Sequence, residues 1–588
     1  MNFKIEKIPA DVRICEKFGN AEITVNNRYL TKNGKPWLPV MAECHYSRIP
    51  REKWEETLRK MKDGGAEIAA SYVFWIHHEE EKGIFDFAGN RDIRHFIELC
   101  HKVGLEFCLR IGPWAHGECR NGGFPDWLCE ECATTLRSDK EPYFGYVRRY
   151  LRAVADQVRG LPLFGIQIEN EMTWRPEYME LVRQAVLETG LTAPLLTATG
   201  WGNARLPDTL LPMFGGYPEA PWTGHTHELE PNANYFFSYV REDGNIGADL
   251  LGYYMYTGGL NPVGKTTMQE SKESGYPNDC PVISYDFQSP IGDMGQLRES
   301  WFRLSKIHAF VRSFGEMLAP MEPVMPSEMP ASLNDTETLR CAFRTDGKGG
   351  FLFVNNHIRL HELPGHPNHR FAFDFADESV AFDLDIPADS TFFLPVNLTL
   401  AGLSFRYASA QPVSYTENEL TLMRIPGIDP VMVLRDGRTV SLTEGVSRIG
   451  DTDVVLLPYE EYVPDELTRI SAEPVPKCCD APILLGHLPV QDHTSEYAVR
   501  WTAEDRWMVI RARGNLAGFY AEGRLISDFY LYGDAWVIDL RNLAAKEGII
   551  KIQPLSEEDR EKIYLEIPFE TGVYPPEVWV SSTENLKI

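Results

Sequence analysis

The sequence predicts a multidomain chain: a (β/α)8 TIM barrel followed by all-β sandwich domains. Three observations predict it. The chain has 588 residues, too many for one hydrophobic core. From about residue 20 to 330, strand-like and helix-like segments alternate, the pattern of a parallel sheet with crossover helices. After about residue 330 helical periodicity is scarce, and apolar or alternating runs sit between Gly, Pro and Asp, as in β-sandwiches. The expected boundaries are 1–330 for the barrel with an N-terminal β extension, 331–475 for a first sandwich and 476–588 for a second, jelly-roll-like one.

The elements follow in order. Pro50 opens a helix in which Trp54, Leu58 and Met61 share a face, and Gly64-Gly65 ends it. Ile68 to Trp75 reads as a strand. A helix carries Ile93, Phe96, Ile97, Cys100 and Val103 and stops at Gly104. Leu105 to Ile111 reads as a strand running into Gly112-Pro113, and Ser138 is placed to cap a helix through Val147, Tyr150, Leu151 and Val154. The strand Leu163–Ile168 follows, then a Pro176-started helix and the strand Pro194-Leu-Leu-Thr-Ala198. No Gly-x-Gly-x-x-Gly turn follows the first strand, which disfavours a nucleotide-binding doubly wound sheet. Farther on, Gly350-Phe-Leu-Phe-Val-Asn355 and Arg370-Phe-Ala-Phe-Asp-Phe375 read as strands, Pro474-Val-Pro476 as a boundary, and Trp507-Met-Val-Ile-Arg511 as part of the last sandwich.

Composition narrows the function. The formal net charge is −27, so phosphate backbones and anionic lipid are disfavoured partners and a neutral substrate fits better. No stretch approaches a membrane span, and the first ten residues lack the apolar run of a secretory signal, so a cytoplasmic protein is expected. The 11 Cys are odd in number and scattered, which suits reduced thiols. Cys129-Glu-Glu-Cys132 has zinc-like spacing but no second Cys or His pair at finger distance, so free thiols are expected there.

Catalytic residues of a barrel follow strand C-termini. Four such places carry suitable groups: His77, His78, Glu79 and Glu80; His116 and Glu118; Glu169, Asn170 and Glu171; and Glu219, Trp222 and His225. The third ends the run Leu163-Phe-Gly-Ile-Gln-Ile-Glu-Asn-Glu171, an apolar strand finishing in an Asn between two carboxylates. Carboxylates and aromatics dominate the set, and no Ser-His-Asp grouping or phosphate loop stands out. Two carboxylates among aromatic rings suit glycosidic cleavage: one protonates the leaving oxygen, and the other attacks or stabilises the oxocarbenium-like centre. The His77, His78, His116 and Glu118 spacing fits no standard helix-borne metal site, so metal ranks below sugar.

Several runs carry a resemblance. They are Asn33-Gly-Lys-Pro-Trp37, Ala42-Glu-Cys-His-Tyr-Ser-Arg-Ile-Pro-Arg51 with Trp54, and Tyr72-Val-Phe-Trp75 with His78-Glu79. Phe85-Asp-Phe-Ala-Gly-Asn90, Arg110-Ile-Gly-Pro-Trp-Ala-His-Gly-Glu118, Gly122-Gly-Phe-Pro-Asp-Trp-Leu128, Gln167-Ile-Glu-Asn-Glu171 and Ser284-Tyr-Asp-Phe-Gln-Ser-Pro290 continue the series. In this order they resemble the catalytic barrel of glycoside hydrolase family 35, the β-galactosidases, over the first 330 residues. The resemblance implies a retaining exo-β-galactosidase with carboxyl groups on strands four and seven, about 5–5.5 Å apart. Glu171 would be the acid/base, and Asn170 would hold the sugar 2-hydroxyl. Tyr72, Glu118, Glu169, His116, Trp222 and Tyr285 would line the sugar site.

The nucleophile motif departs from the family, which places Trp five residues after the Glu. Here Glu219 precedes Trp222 by three, while His225 keeps its spacing of three after Trp222. Glu219 is the expected nucleophile, with Glu228, Glu230 and Glu270 as alternatives. Trp114 and Phe287 stand where the family has Tyr, and His116 where it has a small or sulfur-bearing residue, so a related retaining exo-β-glycosidase for another sugar is the second reading. A non-catalytic carbohydrate-binding barrel is the third. No cofactor and no metal is implied, and carbohydrate is the expected partner, with no nucleic acid or membrane. The β domains are expected to brace the barrel, shape the pocket or form a homo-oligomer contact.

Overall fold

The structure is a computed structural model. It describes every residue except 7, 9–11, 20–21, 199–203, 214–248, 266–267, 272–273, 277–280, 332–334, 359–360, 477–482, 486–487, 491–493 and 561–567. Its N-terminal half is built on seven parallel strands. These are β1 (Val40–Cys44), β2 (Ile68–Tyr72), β3 (Glu106–Gly112), β4 (Gly165–Ile168), β5 (Leu195–Ala198), β6 (Leu211–Met213) and β7 (Leu251–Thr257). Strands β1 to β6 lie side by side in chain order, and β7 pairs with β1 through Leu251↔Val40, Gly252↔Met41 and Tyr253↔Ala42. A final strand laid against the first curls the sheet in the TIM-barrel manner, whereas a doubly wound sheet would reverse its order at a switch point.

The helices between the strands form where the sequence places them. They are α1 (Trp54–Asp63), α2 (Ile93–Val103), α3 (Tyr143–Val158) and α4 (Pro176–Glu188). Trp54, Leu58 and Met61 of α1 are buried as one face. After it, Gly65 turns at φ 94°, and a Cβ there would stand 2.4 Å from the Cβ of His308. Asp92 caps α2 by accepting from the His95 amide at 3.0 Å, and Gly104 ends it at φ 85°. Two local expectations are corrected. Ser138 donates to the Thr135 carbonyl at 2.6 Å instead of capping, because Glu141-Pro142 delays the helix start to Tyr143. The strand from Ile68 stops at Tyr72, and Trp75–His78 turns as a short helix.

A fifth helix, α5 (Glu299–Leu318), joins barrel to sandwich. Its Phe310, Val311, Phe314 and Leu318 are buried with Leu38 and Val40 on one side and Phe351, Phe393, Phe405 and Met432 on the other. The rings of Phe310 and Phe393 lie 4.2 Å apart. The sheet they meet has seven strands, from Glu322–Val324 to Thr439–Ser441, and a four-stranded sheet over 411–457 packs with it. The first strand of the chain, Asn2–Lys4, lies outside the barrel, in parallel with His366–Asp374, and Phe3 stacks on Phe373 at 4.9 Å.

Beyond these, two antiparallel sheets enclose a core of Val499, Met508, Ile510, Phe519, Trp536, Ile550 and Val580. Their pairing begins before the boundary the sequence suggests at Pro474-Val-Pro476. Thr468–Ile470 pairs with Glu577–Ser581, and Ala472–Pro474 with Ser495–Arg500. Proline cannot continue a ladder from a central strand, but Ala472–Pro474 lies at the edge of its sheet and accommodates Pro474.

The Phe310→Ala variant is expected to lose about 3–5 kcal/mol. Guanidinium melts followed by tryptophan fluorescence should show an earlier transition at the barrel–sandwich junction.

Candidate active site

The C-terminal ends of β1 to β4 meet over a buried arginine. Arg110 sits in the apolar run Cys108-Leu-Arg-Ile-Gly112 of β3 and is buried. A guanidinium in such a place must be paired and hydrogen-bonded. Its Nη1 lies 2.9 Å from Glu43 Oε1 on β1, and its Nε donates to Gln167 Oε1 on β4 at 2.7 Å. Its Nη2 donates to the Tyr72 hydroxyl on β2 and to Asn170 Oδ1 at 3.3 Å. The guanidinium also covers the Tyr72 ring, 3.6 Å from its centre. Burial works to lift the Glu43 carboxyl, but Arg110 and His45 outweigh it and hold it below its ordinary value.

A second buried arginine stands beside the first. Arg48 donates from Nε to Asn261 Oδ1 at 2.7 Å and from Nη2 to the Gly117 carbonyl at 2.7 Å. Its guanidinium lies 3.7 Å from the centre of the Tyr285 ring. Nη1 is 2.8 Å from His45 Nδ1. Burial pushes His45 down to about 4, so the ring is neutral near pH 7. It accepts from Arg48 at Nδ1, which leaves its proton on Nε2, 3.3 Å from Glu43 Oε1. His45 touches the rings of Tyr72, Phe74, Tyr254 and Tyr285 at 5.0–5.8 Å and joins the two arginine centres.

The strand-end carboxylates divide. Glu169 and Glu171 both take φ 51°, a left-handed backbone uncommon outside Gly. The Glu169 amide donates to the Gly112 carbonyl and the Glu171 amide to the Ala198 carbonyl, each at 2.8 Å, so the turn is anchored to the ends of β3 and β5. Glu169 differs from the expectation that it lines the sugar pocket. Its side chain is 0% exposed, with Oε2 2.6 Å from Arg137 Nη2 and Oε1 accepting from the Tyr178 hydroxyl at 2.7 Å. Glu171 is not enclosed in this way. It is half-buried, and among the described residues its carboxylate makes no hydrogen bond or ion pair. Burial holds the Tyr72 phenol well above its ordinary value, and the charges of Glu43 and Glu171 add to this against Arg110.

A second carboxylate group faces the loop after β3. Glu118 accepts from the Tyr285 hydroxyl, which also meets the Tyr254 hydroxyl at 2.8 Å. The Glu270 amide donates to the Glu118 carbonyl at 2.9 Å. Burial raises the Glu270 carboxyl above its ordinary value; His116, with Nε2 3.8 Å from Glu270 Oε1, draws it down and Glu118 lifts it. His116 stacks flat on Trp114, their rings 5.4 Å apart, and the Arg137 guanidinium covers the Trp114 ring at 4.1 Å. Gly122, at φ 65°, fits under that indole because a Cβ there would stand 1.8 Å from Nε1.

Tyr72, Asn170, Glu118, His116 and Tyr285 therefore gather with Glu171 at the strand ends. Glu219, Trp222 and His225, and the alternatives Glu228 and Glu230, lie outside the described residues. Sequence reasoning gives no role to Glu43, His45, Arg48, Arg110, Gln167 or Tyr254. The available signal was a charged residue inside an apolar strand, Arg110 above all. Among the described residues no group of three His, Cys, Asp or Glu is placed to hold a metal ion. Cys129 and Cys132 are free.

Residues 29–213 match the profile of glycosyl hydrolases family 35. Over this stretch the chain is similar to that family. The chain is 28% identical over 360 residues to β-galactosidase 8 of Arabidopsis thaliana, covering 55% of this chain and 41% of that one. It is 28% identical over 343 residues to the β-galactosidase of Bos taurus, covering 51% and 50%. The chain thus spans about half the length of the curated relatives it matches. Among solved structures, the exo-β-1,4-mannosidase Op5Man5 from Opitutaceae bacterium strain TAV5 aligns at 18% identity over 32% of this chain and 34% of that one, with a TM-score of 0.24.

Behind Tyr285 lies a buried acidic pair. Asp286 Oδ2 lies 2.8 Å from Arg298 Nη2, and Asp286 Oδ1 accepts from the Asp293 amide at 3.1 Å. Asp293 Oδ2 accepts from the Ser284 hydroxyl at 2.7 Å. Burial and the neighbouring Asp286 push the Asp293 carboxyl up to about 7, from 3.8. A raised carboxyl stabilises the fold while protonated, so this contribution is lost as pH rises from about 4 through about 7. Asp293→Asn is expected to flatten the fall in melting temperature between pH 5 and pH 8. An unchanged slope in thermal melts would remove Asp293 as its cause.

Proposed function

We propose that this chain is a retaining exo-β-galactosidase, a glycoside hydrolase that removes terminal non-reducing β-D-galactose by double displacement. The division of the Glu-Asn-Glu run carries the reading: Glu169 is consumed by Arg137 and Tyr178, while Glu171 is left at the strand ends beside Tyr72 and Asn170. A half-buried carboxyl with no hydrogen bond or ion pair among the described residues suits the place of a general acid/base. The family 35 match and the β-galactosidase relatives supply the substrate class.

In this reading the sugar sits over the Arg110 and Arg48 centres. Glu171 protonates the glycosidic oxygen as the bond breaks, and the nucleophile, assigned to Glu219 from its spacing to Trp222 and His225, forms the glycosyl-enzyme. Glu171 then takes a proton from the water that releases the sugar. Asn170 offers its side chain to the sugar 2-hydroxyl, with Oδ1 already fixed by Arg110 and by Gln167 Nε2 at 3.2 Å. Glu118, held by Tyr285, accepts from a further hydroxyl. The free thiols of the described cysteines favour a reducing, cytoplasmic setting.

A second reading keeps the mechanism and changes the sugar. It rests on the Trp114–His116–Glu270 group beside Glu118, which offers a ring face, an imidazole and a carboxyl of raised affinity for protons. A panel of aryl glycosides separates the two by the ratio of kcat/KM for galactoside over its epimers.

Glu171→Gln is expected to lower kcat on an unactivated β-galactoside about 10²–10⁴-fold, with a smaller loss on aryl glycosides whose leaving group needs no proton. Full activity on the unactivated substrate would sink the role given to Glu171. Incubation with a 2-deoxy-2-fluorogalactoside is expected to label the peptide containing Glu219. A label on Glu228, Glu230 or Glu270 would move the nucleophile, and sugar binding without label or turnover would support a binding barrel instead.

A further inference from the structure

Tyr285 reaches Glu118 from a short ribbon made of β8 (Gly259–Leu260) and β9 (Ser284–Tyr285). Two strands of two residues do not define a side chain's position unaided. The ribbon is gripped on both sides. The Ile283 carbonyl accepts from the Asn261 amide at 2.7 Å, and Asn261 Oδ1 in turn receives Arg48 Nε, whose guanidinium lies on the Tyr285 ring. The amide side faces the last sandwich. There Asp528, on β10 (Arg524–Tyr530), is buried and points its carboxylate at three successive amides. Val282 donates to Oδ2 at 2.5 Å, and Ile283 and Ser284 donate to Oδ1 at 3.0 and 2.8 Å.

We propose that Asp528 is a positioning residue for the sugar pocket: it fixes the 282–284 backbone so that Tyr285 delivers its hydroxyl to Glu118. The inference rests on the galactosidase reading for its catalytic consequence. Docking the sandwich does not require this carboxylate. The same interface already has an apolar cluster of Met294, Trp507, Val509, Val537 and Leu586, and an ion pair between Lys53 and Asp539. A carboxylate taken out of water to collect three consecutive amides costs desolvation that apolar packing would not. What it adds is a fixed orientation for the peptide planes that carry Tyr285. The last sandwich thereby sets the geometry of a pocket to which it contributes no side chain of its own among those described.

The test compares Asp528→Asn, Tyr285→Phe and their double variant with Lys53→Met, which loosens the same interface without touching residues 282–284. Asp528→Asn keeps the shape but puts an NH2 group against an amide donor. It is expected to raise KM for an aryl β-galactoside about 10- to 100-fold, the range of a lost hydrogen bond to a charged group. Tyr285→Phe should match it, and the double variant should be no worse than the poorer single. Lys53→Met should lower the melting temperature and leave KM unchanged. Asp528→Glu, which keeps the charge and moves it by one methylene, should give a smaller rise in KM. Unchanged KM in Asp528→Asn and Asp528→Glu, or effects that multiply with Tyr285→Phe, would overturn the inference. Should the wild-type chain cleave no glycoside, the galactosidase reading fails by itself. Crystal structures of Asp528→Asn and Asp528→Glu then decide the positioning role, with the Tyr285 hydroxyl moved off Glu118 if it holds and unmoved if it does not.

Discussion

One buried charge organises the strand ends. Arg110 enters from β3 and is neutralised by Glu43 from β1, while its remaining N–H groups go to Tyr72, Gln167 and Asn170. A guanidinium removed from water is tolerable only when nearly every donor is served. The arginine therefore dictates side chains on three other strands and the turn after β4. Its planar fork fixes angles as well as distances. Arg48 repeats the device one step outward, serving Asn261, Gly117 and His45 and backing Tyr285. The pocket floor is thus a rigid polar lattice in a place where most barrels pack hydrocarbon.

Such a lattice suits a site that must recognise hydroxyl groups. Discrimination between sugars differing in one hydroxyl's direction depends on acceptors and donors that do not yield. Asn170, Glu118 and Tyr72 are each held by at least one buried partner before any ligand arrives. Glu171, the proposed acid/base, has no such partner among the described residues. Both Glu169 and Glu171 take a left-handed backbone, but only Glu169 is enclosed by Arg137 and Tyr178.

Much of this was readable in the sequence. The helices with a buried stripe and a terminal Gly, such as 93–103 before Gly104, were placed by periodicity and stop signals. The Glu-Asn-Glu run was picked out because an apolar strand ending in carboxylates is unusual. What escaped was long-range pairing. Glu43 and Arg110 lie on different strands far apart in the chain, and no local pattern says that their charges meet. Spacing does not reveal which partners a residue with positive φ finds, and Glu169 finds Arg137 and Tyr178. Ser138 and Pro142 compete to set one helix start, and the proline's fixed backbone prevails. Asp528, 244 residues beyond Ser284, carries no signal at all without the fold.

The strand Asn2–Lys4 bears on how the chain comes off the ribosome. Its partners, His366–Asp374 and the phenylalanines at 343 and 373, are made after the barrel strands. At about 5–20 residues per second, the gap is roughly 20–70 s. Through that interval Phe3 has no core to enter, while the strands of the barrel are emerging one after another. Strand Asn2–Lys4 can pair only after the whole barrel has been made.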